Sequence, residues 1–144
     1  MVSKDTIELL KECNAGTKMA VASIDDVLES VSDQELHQLL SKNRQQHVEL
    51  GEQTDHLLAL EHEDGKAPNP MAKSMSWVKT KIKINMGEEN QAAADLITDG
   101  CNMGVKSLNR YLNQYKAADE QAKSLCRQLI HLEESLSFGM RPYL

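Results

Sequence analysis

From Ile7 onward, Leu10, Asn14, Thr17, Val21, Ile24, Leu28 and Val31 follow one another at alternating steps of three and four. A strand repeats every second residue, so this unbroken spacing admits only a helix with one stripe turned towards other helices. A second stripe runs through Leu36, Leu40, Asn43, His47, Leu50, Thr54 and Leu57. It dissolves in EHEDGKAPNP, where Gly65, Pro68 and Pro70 break a helix. Two more stripes follow, Ala94, Ile97, Cys101, Val105, Leu108, Leu112 and Tyr115, then Ala122, Leu125, Leu129, Leu132 and Leu136.

These stripes predict one all-α domain over residues 1–144, with helices at about 4–31, 33–63, 88–117 and 119–138. Ser32 and Glu35 form a capping-box pattern at the start of the second helix. Between the second and third helices, MAKSMSWVKTKIKINMG sets Met71, Met75, Val78 and Ile82 on one face and lysines on the rest. That segment predicts a short crossover helix over 71–85. Short links join the helices of each hairpin as antiparallel neighbours, and the long link permits a crossover between the two hairpins.

Composition narrows the function. A net charge of −6 lacks the basic excess of a nucleic-acid binder. No apolar run approaches the ~20 residues that span a bilayer, and the N-terminal stretch lacks a signal-peptide apolar core. A soluble cytoplasmic protein is expected. Three cysteines at wide spacing give neither a disulfide framework nor a zinc knuckle, so Cys13, Cys101 and Cys126 are expected as buried, reduced thiols. Glu52 with His56 reads as a solvated pair, His37 and His62 as exposed. There is no phosphate loop and no Ser-His-Asp ordering. Cys13, between Lys11 and Lys18, is the only candidate thiol nucleophile, and a buried helix cysteine is the simpler reading. No catalytic residues, and no enzyme, are expected.

Two segments repeat. CNAGTK at 13–18 matches CNMGVK at 101–106, and RQQHVE matches QLIHLE, which places His131 opposite His47. A duplicated helical hairpin with pseudo-twofold symmetry accounts for both matches. It would set Asn14, Thr17, Asn43, His47, Asn102, Gln128 and His131 in one inner polar layer. Gly16 and Gly104 would let the first and third helices approach closely. The tail SFGMRPYL has two dockings open to it, on this bundle or on another copy.

Paired halves, a long crossover led by Trp77 and an inward histidine on the second and fourth helices resemble the ferritin-like superfamily. The resemblance is to its small bacterial four-helix branch described as domains of unknown function. Metal-loaded members carry a Glu on the first and third helices and Glu-x-x-His on the second and fourth. Carried over, the histidines are His47 and His131, but Arg44 and Gln128 stand where glutamates would be. Thr17 and Val105 take the other two positions, or Gly16 and Gly104 after a one-residue shift. The resemblance therefore implies a degenerate di-iron site and no cofactor. The first function expected is a non-catalytic assembly or partner-binding protein acting as a homodimer or with another protein, with no nucleic-acid or membrane partner. The alternatives are a metal-binding protein or oxidoreductase, with zinc on His47, His131 and a cysteine or with iron or manganese, and a small-molecule-binding bundle.

Overall fold

The computed structural model describes residues 2–65 and 88–144. The crossover helix expected over 71–85 lies outside the described residues. Four long helices account for most of the rest: α1 (Lys4–Leu28), α2 (Gln34–Leu60), α3 (Glu89–Gln114) and α4 (Glu120–Met140). A 3-10 turn, Arg141–Tyr143, closes the chain. No strand occurs among the described residues.

Side-chain caps start three of the helices. Ser3, Asp33 and Asp119 accept from the backbone N–H groups of Thr6, Leu36 and Ala122, meeting orphan donors of the first turn. The cap of α2 is thus Asp33, one residue later than the capping-box pattern predicts. Ser32 is drawn away instead: its backbone N–H donates to Asn90 Oδ1, and its hydroxyl accepts from Asn90 Nδ2. That exchange ties the start of α2 to the start of α3. The far end of α2 closes with His62 at φ 57°, its N–H on Ala59 O and the Glu63 N–H on Leu58 O. This is a Schellman closure with histidine where glycine is usual.

Contact partners give the directions. Asn14 meets Thr54 and Asp25 meets Arg44, so α1 and α2 are antiparallel. Leu108 meets Cys126 while Gly104 faces Glu133, so α3 and α4 are antiparallel too. Thr6 instead meets Asp119 and Gly16 faces Leu129, so α1 and α4 run parallel. Both hairpins pack within themselves, α1 also lies on α3 and α4, and α2 lies on α4.

Among the described residues the apolar core falls into two clusters. One holds Ile24, Val27, Leu36, Leu40, Ile97, Leu136 and Met140, the other Leu9, Leu10, Leu50, Leu58, Leu108, Leu125 and Leu129. Between them along the helices come Asn14 and Thr17 of α1, Asn43 and His47 of α2, and Glu133 of α4, all buried. A polar layer therefore divides the core.

Candidate functional site

His47 sits at the middle of α2, fully excluded from solvent. Its Nδ1 lies 3.0 Å from Asn43 O, one turn back, and its Nε2 lies 3.0 Å from Glu133 Oε1 on α4. A carbonyl oxygen only accepts, so Nδ1 carries a hydrogen and Nε2 faces the carboxylate. A hydrogen shared between Nε2 and Oε1 makes this contact a hydrogen bond. Cys101 of α3 lies near this pair, and burial with the nearby Glu133 carboxylate pushes its thiol far above the usual range. Neither ring nitrogen of His47 is left without a partner.

On the other side of the layer, Asn14 binds α1 to α2. Its Nδ2 donates to Asp55 Oδ1 at 2.7 Å and to Thr54 Oγ1 at 3.0 Å. The Thr17 hydroxyl donates to Asn14 O, and that of Thr54 to Gly51 O. Gly51 is pressed against this group, since a methyl placed there would lie 2.9 Å from Thr17 Oγ1. The sequence repeat gave no sign of Gly51, Thr54 or Glu133. The spacing did: Glu133 is four past Leu129 and three before Leu136, on the buried stripe of α4.

His131 does not join His47. It is exposed, with Nδ1 3.6 Å from Glu134 Oε1, because two residues past the buried Leu129 turn it roughly 200° around the helix. Glu133 takes the inward place. Gln128 and Asn102 are exposed for a related reason, each one residue off a buried stripe position. Arg44 is half-buried and pairs with Asp25 across the α1–α2 seam. Val105 is half-buried within the second cluster. The inner layer is thus Asn14, Thr17, Asn43, His47 and Glu133, without Asn102, Gln128 or His131. Gly16 faces Leu129 and Gly104 faces Glu133, both on α4, so neither glycine brings α1 and α3 together.

The zinc reading on His47, His131 and a cysteine fails on geometry, since His131 points to solvent. Among the described residues no group of three or more His, Cys, Asp or Glu side chains is placed to hold a metal ion. All three cysteines are buried and unbridged. Cys13 of α1 and Cys126 of α4 are buried in the same apolar cluster, and Cys126 Sγ donates to Leu108 O at 3.7 Å. A separate recess of about 480 Å³ lies at the outer end of α1, lined by Glu8, Lys11, His62, Glu63, Asp64 and Gly65. It is charged and open, outside the polar layer.

No family model matches the chain, and no curated protein matches it in sequence. Among solved structures it is similar to the crystal structure of a DUF305 fragment from Deinococcus radiodurans, at a TM-score of 0.77. The match covers 98% of this chain and 95% of that one, at 11% sequence identity. The chain folds like a DUF305 fragment. At that identity the likeness is one of fold, and it fixes the all-helical bundle architecture. No helix among the described residues is long and apolar enough to cross a membrane.

Proposed function

We propose that this chain is a non-catalytic, cytoplasmic bundle of ferritin-like type that serves as an assembly or partner-binding protein. The dinuclear metal centre of such bundles is replaced by a buried polar layer. The observation that carries this reading is the pairing of His47. Its Nε2 faces Glu133 and its Nδ1 faces Asn43 O, so both donor positions are occupied by protein. A ferritin-like centre needs several carboxylates around its cations to offset their charge. The buried carboxylate here, Glu133, is taken up by the imidazole of His47. Such a layer fixes helix register and leaves the outer faces for contacts with other chains.

Metal analysis of protein purified without chelators, paired with sedimentation over a range of concentrations, tests the reading. The expected result is far less than one equivalent of iron, manganese or zinc, together with self-association or capture of a protein partner. Stoichiometric metal that is lost in His47→Ala would overturn it.

A further inference from the structure

Residue n of α1 faces residue n + 113 of α4 at three successive levels. Asp119 N–H donates to Thr6 Oγ1, Gly16 lies against Leu129, and Cys13 and Cys126, at the same offset, are buried in one apolar cluster. Two parallel helices held in register at Thr6 and at Gly16 therefore present their cysteines directly to each other in between. Cys101, the third cysteine, belongs to the other apolar cluster. The seam is narrow there, with glycine one turn past Cys13.

We propose that Cys13 and Cys126 are a redox pair that closes into a disulfide between α1 and α4 when a small neutral hydroperoxide, hydrogen peroxide, reaches it. The two thiols are not equivalent. The Cys13 thiol and the charge of Arg127 draw Cys126 below the usual thiol range against its burial, and the Cys126 sulfur with burial drives Cys13 above it. Cys126 is thus the sulfur that ionises and attacks first. Its thiolate bonds one oxygen of the peroxide as the O–O bond breaks. The departing hydroxide takes up the proton that Cys126 released and leaves as water, with Cys126 oxidised to the sulfenic acid. The Cys13 sulfur then bonds Cys126 as the S–O bond breaks, and hydroxide leaves with the Cys13 proton as a second water. Two thiols and one peroxide become one disulfide and two waters. Both cysteines lie within three turns of the N-termini of their helices, so peroxide gains access by local opening of one end of the bundle.

The test exposes the folded full-length protein to hydrogen peroxide, blocks the remaining thiols and maps the products by mass spectrometry. The expected product has lost two hydrogen atoms, joins the Cys13 and Cys126 peptides, and leaves Cys101 as a thiol. Its melting midpoint rises by on the order of 10 °C, because the link closes a long loop in the unfolded chain. In Cys13→Ser the reaction stops at a sulfenic acid on Cys126 that dimedone traps, and in Cys126→Ser Cys13 stays reduced. Cys101→Ser leaves the pairing unchanged. A disulfide that includes Cys101 or a second chain overturns the proposal. So does a folded protein that keeps all three thiols under conditions where the urea-unfolded chain is oxidised.

Discussion

At the scale of single residues, His47 and Glu133 join two buried ionisable side chains across α2 and α4. Two ionisable groups have been taken out of water, and their contact, with the bond from His47 Nδ1 to Asn43 O, compensates for the lost hydration. Removing one partner leaves the other buried and uncompensated. His47→Leu or Glu133→Leu alone should therefore lower stability by about 3–5 kcal/mol, whereas the double Leu variant should return to within about 1 kcal/mol of the natural protein. Urea unfolding of the four proteins as a double-mutant cycle measures this, and additive effects would show that the pair is not coupled. The partner of His47 was legible in the sequence and yet obscured by it. Glu133 lies on the stripe that passes through Leu129 and Leu136, but the matched segments RQQHVE and QLIHLE drew the eye to His131. Helical phase is set by every apolar residue on α4, and one matched histidine does not outweigh it.

At the scale of helices, the three-four spacing carried most of the fold, because burial of an apolar stripe dominates helix placement. Leu10, Ile24, Leu36, Leu40, Ile97, Leu125, Leu129 and Leu136 are all buried where the stripes put them. What spacing could not convey is which glycine sits at a crossing, because a glycine has no side chain to count. Gly16 drew notice through its repeated motif, yet Gly51 is the tighter site. A methyl at Gly16 would meet Leu129 Cδ2 at 3.5 Å, an ordinary contact, whereas at Gly51 it would stand 2.9 Å from Thr17 Oγ1. Thr17 is in turn held by its hydrogen bond to Asn14 O. Gly16→Ala should accordingly raise stability by about 0.5–1 kcal/mol through helix propensity. Gly51→Ala should lower it by about 1–3 kcal/mol, because overpacking outweighs the same propensity gain. Thermal melts of the two variants decide the point, and equal shifts of one sign would refute the distinction.

At the scale of the whole molecule, the divided core links stability to pH at the alkaline side. Cys101 is held as a neutral thiol by burial and by the Glu133 carboxylate beside it, well above the usual thiol value of 9.0. In the unfolded chain the same thiol ionises near its ordinary value. Below that value both states keep the proton, and the contribution of Cys101 to folding is fully present. Above it the unfolded state loses a proton that the native state retains, so stability falls as pH rises, by up to about 1.4 kcal/mol per pH unit for this one group. Cys13 and Cys126 shift in opposite directions, so their effects oppose each other, whereas Cys101 has no such counterweight. Urea unfolding under reducing conditions, at several pH values from about 8 to 10, reads the slope directly. The natural protein should lose stability across that range, and Cys101→Ala should lose distinctly less even though its absolute stability is lower for want of a side chain. The difference in slope, rather than in level, belongs to the thiol: a packing defect shifts all pH values together, while a buried proton changes only the range in which the unfolded chain would release it. Parallel slopes for the two proteins would mean that the Cys101 thiol ionises as readily in the native layer as it does in water.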